Sequence, residues 1–203
     1  MKQTIRYAGS AFIVAATLIV SLAWAAENDS SRKVDPKTEE MLKKAEAAST
    51  PGPAHKALEP LVGDWNAEVK FWMTPDAPPT ITKGTAKSTW KLKDRFVQEE
   101  FSGEFMGKPF RGISFIGYDN VRQKYRSVWI DDMSTTMVTS EGDADPGAKV
   151  ITFGGDYSCA MTGEKHKPCK QVFRILSRDQ HVFEMYDPAQ GGAKTMEITY
   201  TRK

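Results

Sequence analysis

The chain has 203 residues, of which 28 are Lys or Arg and 26 are Asp or Glu, with 40% hydrophobic residues and two cysteines. That is enough chain for one domain with a substantial core, and the near-balance of charge excludes the basic footprint that nucleic acid or an anionic membrane surface calls for. No HExxH, Gly-x-Ser-x-Gly, P-loop or dinucleotide fingerprint occurs, so no motif marks a catalytic class or a cofactor.

Residues 1–25 read as a secretory signal peptide. Lys2 and Arg6 supply a basic start, Ala8 to Leu22 is almost uniformly apolar, and Ala23-Trp24-Ala25 is a small-x-small cleavage site before Ala26. The apolar run of 15 residues is shorter than the roughly 20 a spanning helix needs. Cleavage leaves 178 residues (203 less 25) and removes two basic residues, so 26 basic then stand against 26 acidic. The expected location is the periplasm or the medium, with no lasting membrane insertion.

Residues 26–52 form a polar N-terminal segment with one short helix. Asp35-Pro36 is a helix start, Asp35 as N-cap and Pro36 at the first helical position. Lys37 to Ala48 is rich in Glu, Lys and Ala, and Thr50-Pro51-Gly52-Pro53 breaks the helix. Domain residues 53–203 follow, opened by a helical turn over Ala54 to Leu61 that places Leu58, Leu61 and Val62 against one end of what comes next.

Ten strand candidates then run at about 65–73, 80–92, 95–105, 109–118, 123–131, 134–141, 148–157, 169–177, 180–187 and 194–202. Turn residues separate them, among them Lys93-Asp94, Met106-Gly107, Asp119-Asn120, Asp145-Pro146-Gly147 and Gly191-Gly192. So many strands with such short connections predict an all-β fold: an antiparallel up-and-down barrel of about ten strands with short N-terminal helices.

Period-2 alternation sorts the faces. Trp65, Val69 and Phe71 share one, as do Ala86, Ser88 and Trp90, then Val97, Glu99, Phe101 and Phe105. Tyr125, Ser127, Trp129 and Asp131 share another, as do Val182, Glu184 and Tyr186. Pointing the aromatic-bearing faces inward yields a candidate cavity of Trp90, Glu99, Phe101, Tyr125, Trp129, Asp131, Glu184 and Tyr186. Carboxylates in such an interior must be paired, hydrated or neutral. The competing core set is Phe96, Val128, Ile130, Phe183 and Met185 on the opposite faces, and alternation by itself does not choose.

Cys159 and Cys169, in a chain bound for an oxidising compartment, are expected to form a disulfide. The alternative is zinc on Cys159, His166 and Cys169, whose spacing matches no usual zinc pattern, so no metal is expected. His55 reads as a helix-start side chain bonded to nearby backbone. His166 and His181 read as exposed.

Gly63-Asp64-Trp65 before the first strand resembles the Gly-x-Trp opening of lipocalins and related calycin barrels. That resemblance implies that Trp65 closes one barrel end and that Arg202 of the last strand packs on its ring. A longer run is similar to a bacterial family classed as a domain of unknown function. It comprises His55-Lys56, Leu58, Leu61, Gly63 and Trp65, then Gly117-Tyr118-Asp119-Asn120, Trp129-Ile130-Asp131, Met133-Ser134-Thr135 and Phe183-Glu184-Met185-Tyr186. The resemblance covers nearly all of 53–203 and implies a calycin-like barrel with no agreed activity and no catalytic residues to carry over.

The expected function is therefore an exported barrel that binds a small, largely apolar molecule. Three alternatives stand beside it: an enzyme with Glu99, Asp131 or Glu184 as general acid or base, a haem-binding barrel using His55 or His181, and a structural envelope protein. No cofactor, no nucleic-acid partner and no oligomeric state follow from the sequence.

Overall fold

Short alternating strands bury an apolar face without leaving free edges by closing on themselves. In the computed structural model, which describes residues 34–203, they do so. The strands are β1 (Gly63–Phe71), β2 (Thr80–Lys91), β3 (Phe96–Phe105), β4 (Lys108–Asp119), β5 (Lys124–Asp131), β6 (Val138–Ala144), β7 (Val150–Tyr157), β8 (Lys167–Ile175), β9 (Gln180–Asp187) and β10 (Ala193–Arg202). Every strand pairs antiparallel with its sequence neighbour, and β1 closes the barrel on β10, with Trp65 opposite Arg202 and Phe71 opposite Met196. The signal-peptide reading lies outside the described residues.

The chain divides into a segment up to Glu46 and the barrel unit Ala47–Lys203. Helix α1 (Pro36–Ser49) starts where Asp35 predicts it: the Asp35 carboxylate accepts from the backbone N–H groups of Lys37 and Thr38, both at 3.1 Å. Glu39–Lys43 and Glu40–Lys44 pairs lie along its exposed side. Within the barrel unit, the Asn120 amide donates to the carbonyls of Ala47, Ala48 and Thr50, satisfying acceptors that a helix end leaves free.

A short helix α2 (Pro53–Lys56) and a 3₁₀ turn (Glu59–Leu61) plug one end of the barrel. Leu58 and Leu61 are fully buried there among Val97, Ile116, Tyr125, Ile151 and Phe153. Tyr125 Oη donates to the Ala54 carbonyl and Trp65 Nε1 to that of Leu61, tying plug to wall. Gly63, which enters β1, has φ +147°, and a Cβ there would lie 2.0 Å from Arg202 Nη1, so the guanidinium takes the space of the missing side chain. The opposite end is ringed by the connections 72–79, 106–107, 132–137, 158–166 and 188–192.

Three expectations need correction. The sixth strand begins at Val138 rather than 134, because Asp131 Oδ1 accepts from Met133 and Ser134 N–H and Ser134 bonds Thr136, which folds that stretch into a rim loop. Glu184 and Tyr186 face outward, because the β9 residues whose neighbours are core are His181 and Phe183. Glu184 is buried all the same, gripped on the outer surface by Arg174 of β8 at 2.8 Å and Lys194 of β10 at 2.6 Å. Lys194 also pairs with Glu197, which pairs with Lys70, so a line of alternating charges ties β8, β9, β10 and β1. Burial alone would raise the Glu184 pKa, but the Lys194 and Arg174 donors outweigh it and hold the carboxyl below its ordinary range.

The third correction concerns the cysteines, which are free thiols. Cys169 points into the barrel opposite Gly155, whereas Cys159 is held in its own rim turn by bonds to Glu164 and Gly163. The Cys169 thiol is pushed up by burial, while a hydrogen bond from the Thr162 hydroxyl draws the Cys159 thiol down. His166 lies at the surface on Asp156, and among the described residues no three His, Cys, Asp or Glu side chains gather as metal ligands.

Candidate functional site

The barrel interior is apolar at the plugged end and polar at mid-height. Register places Ser88 (β2), Glu99 (β3), Ser114 (β4) and Trp129 (β5) side by side on the inner wall. Tyr200 of β10 reaches Glu99 from across β1 and β2, its hydroxyl donating to Oε1 at 3.1 Å. The strands between contribute small residues, Ala67 and Ala86, which leave the ring its path. Ser88 Oγ lies 3.4 Å from the other carboxylate oxygen, a long and weak contact.

Burial is the dominant influence on Glu99. It lifts the pKa from 4.5 to about 7, with the Tyr200 and Ser88 bonds pulling the other way. Among the influences on this carboxyl no positive charge figures. Tyr200 is in turn pushed well above the ordinary phenol range by burial and by Glu99, so it is a neutral donor at any physiological pH.

Behind Tyr200 lies His181, the reverse of the exposed position expected from its turn. It is 2% exposed, stacked on Tyr200 at 4.3 Å and edge-on to Trp65 at 4.5 Å. Burial, with the Arg202 charge nearby, drops its pKa to about 3, so the ring is neutral. Arg202 completes the stack, 4.2 Å over Trp65 and donating to the carbonyls of Arg178 and Val62. His181 is packed between the two aromatic rings of Trp65 and Tyr200. His55 lies in the plug, its Nδ1 accepting from Gly52 N–H.

Among the described residues, buried His181 Nδ1 has no hydrogen-bond partner. Ser140 lies on β6 facing inward, beside the Cys169 thiol.

Towards the open end the wall turns aromatic. Phe110 stacks on Trp129 at 6.1 Å and meets Phe101 edge-on at 6.1 Å, and Phe71 and Phe105 sit beyond. Gly112 provides the seat for Trp129, since a Cβ there would come within 2.1 Å of the indole. Glu99, Ser114, Trp129, Phe183, Met185 and Met196 all point inward yet are only partly buried, so water-sized space reaches between them. At the rim a cleft of about 540 Å³ opens between the 132–136 and 158–165 loops, lined by Met133, Thr135, Cys159 and Lys165 among others. Met73, Met106, Met133, Met137 and Met161 stand exposed on these rim connections.

Of the eight residues proposed for a cavity, Trp90, Glu99, Phe101, Tyr125 and Trp129 face inward. Trp90 and Tyr125 belong to the plugged end, Trp90 Nε1 donating to Glu59 at 2.6 Å. Asp131 serves the rim, accepting from Trp129 Nε1 at 2.9 Å and capping the turn that follows. Glu184 and Tyr186 are outside. Sequence reasoning missed Tyr200 and Ser140 and placed His181 at the surface. The available signal for Tyr200 was its period-2 phase with Ile198 and Arg202.

The architecture thus defines a ten-stranded up-and-down barrel, plugged at one end and polar at its centre. The chain belongs to the DUF1579 family of proteins of unknown function, whose family model matches residues 50–202. Among solved structures it is similar to Rv2717c from M. tuberculosis, at 16% identity and TM-score 0.57 over 76% of this chain and 99% of that one. It is also similar to a redesigned β-barrel, at 13% identity and TM-score 0.38 over 72% of this chain and 95% of that one. A third similar structure is a protein of unknown function of the DUF3598 family from Nostoc punctiforme PCC 73102, at 16% identity and TM-score 0.33 over 77% of this chain and 53% of that one. The first of these shares the barrel fold. No curated protein matches the chain.

Proposed function

We propose that this chain is an exported barrel that holds a small, largely apolar molecule in its open half. The observation that carries the proposal is the set of inward aromatic, methionine and carboxyl side chains around Glu99 that keep accessible surface. A barrel filled by its own side chains would bury them. The Leu58–Leu61 plug closes one end, so the molecule enters past the methionine-bearing rim.

Native mass spectrometry of the mature protein from its own cells, compared with the denatured sample, is the test. A reproducible extra mass lost on denaturation is expected. An apo mass, together with no change of Trp fluorescence on adding short-chain apolar probes, overturns the proposal. The intact mass also tests export, since cleavage before Ala26 removes residues 1–25.

A second reading, acid–base catalysis on an apolar substrate, rests on Glu99 alone, whose pKa near 7 suits either role. The other two proposed carboxylates are committed elsewhere, Asp131 to the rim turn and Glu184 to the outer ion line.

A further inference from the structure

We propose that the molecule this barrel holds is an apolar amine, its ammonium group seated on Glu99. The inference rests on the apolar-binding reading above and specifies the head group. It begins with charge. Going round the inner wall, the ionisable groups other than Glu99 are already matched or remote. Lys167 pairs with Asp187 at 3.1 Å, Arg202 is spent on Trp65, Asp179 and backbone carbonyls, and His181 is neutral. The groups that face Glu99 from the packed strands are the hydroxyls of Ser88 on β2, Ser114 on β4 and Tyr200 on β10, none of which bears positive charge. A carboxylate desolvated with no countercharge is the costliest group in such an interior, and a cation brought by the ligand is what relieves it.

The hydrogen bonds agree. Tyr200 donates to the carboxyl at 3.1 Å and Ser88 more weakly at 3.4 Å, so donors for the ionised form are in place, and what the site lacks to ionise it fully is a cation. Trp129 stands one strand beyond Ser114 and Phe101 two residues along β3, offering aromatic faces to a cation and apolar wall to its chain. A fatty acid would bring a second negative charge to the same place. An alcohol would leave the carboxylate unneutralised.

The experiment titrates the mature protein with octylamine, octanoate and octanol at pH 8, following Trp fluorescence and heat. Octylamine is expected to bind at least roughly tenfold more tightly than either of the others, as a desolvated ion pair implies. Glu99→Gln should lose that preference while still binding octanol. In wild type near pH 6, where Glu99 is largely protonated, amine binding should release a proton. Its heat should then change with the ionisation enthalpy of the buffer, an effect octanol will not show. This last measurement needs no variant. Equal binding of the three probes, a preference that survives Glu99→Gln, or buffer-independent heat at pH 6 overturns the amine assignment and leaves apolar binding standing. Failure of all three probes to bind removes both.

Discussion

Glu99 and His181 lie on either side of one tyrosine and are both kept from charging, with opposite consequences for stability. Glu99, raised to about 7 from 4.5, holds more protons when folded than unfolded between those values, so its contribution falls as pH rises through that window. His181, lowered to about 3 from 6.5, holds fewer when folded, so its contribution is lost as pH falls from 6.5 towards 3. The two oppose each other over most of the range and partly cancel in the whole-protein curve. The difference between wild type and Glu99→Gln isolates the first: it should shift against wild type by about 3 kcal/mol from pH 4.5 to 8 in urea unfolding. A difference that stays flat contradicts a Glu99 carboxyl raised by desolvation. The thiols offer a simpler check. Cys159, half-exposed, should react with Ellman's reagent in the native protein, and buried Cys169 only after denaturant is added. Detection of no thiol in denaturant would reinstate the disulfide. Neither arrangement was legible in the chain, because Cys spacing fixes loop length but not the direction in which each side chain leaves its strand.

At the level of strands and helices the pattern is much more legible. Alternation marks Trp65, Ala86 and Phe101 as inner because each has a polar neighbour on either side, whereas Val97 and Trp129, next to Phe96 or between Val128 and Ile130, take their inward face from their strand partners. It failed on β9, where Phe183, Glu184, Met185 and Tyr186 give both faces apolar weight. There the choice is made by partners from other strands: Phe173 claims Phe183, while Lys194 and Arg174 claim Glu184. The Asp119-Asn120 turn was correctly read as structural, and it has a second task that its own segment does not disclose. Asp119 closes the turn by accepting from Val121 and Arg122 N–H, while Asn120 reaches back some seventy residues to the end of α1. Asn120→Ala should therefore cost about 1 kcal/mol with an unchanged urea m-value, while the β4–β5 turn itself persists.

Closure was the property of the barrel easiest to foresee, since ten short strands with tight turns leave few other ways to hide two edges. The central site was the hardest, because it assembles from β2, β3 and β10, and Tyr200 and Glu99 are 101 positions apart in sequence. The two ends also divide the labour of stability. Leu58 fills the plugged end with no exposed surface, so Leu58→Ala should cost about 2–5 kcal/mol in thermal or urea unfolding. A truncation of the exposed Met106 at the rim should move the same measurement by less than about 0.5 kcal/mol. Equal costs at the two sites would mean that the rim is a packed surface.

The barrel unit begins at Ala47 beside the Asn120 corner and finishes at Lys203, whose N–H bonds the Asp64 carbonyl, so both ends of this unit lie beside the plug. Anything joined after Lys203, whether an affinity handle, a surface tether or a fused domain, hangs from the floor of the vessel and leaves its mouth facing away.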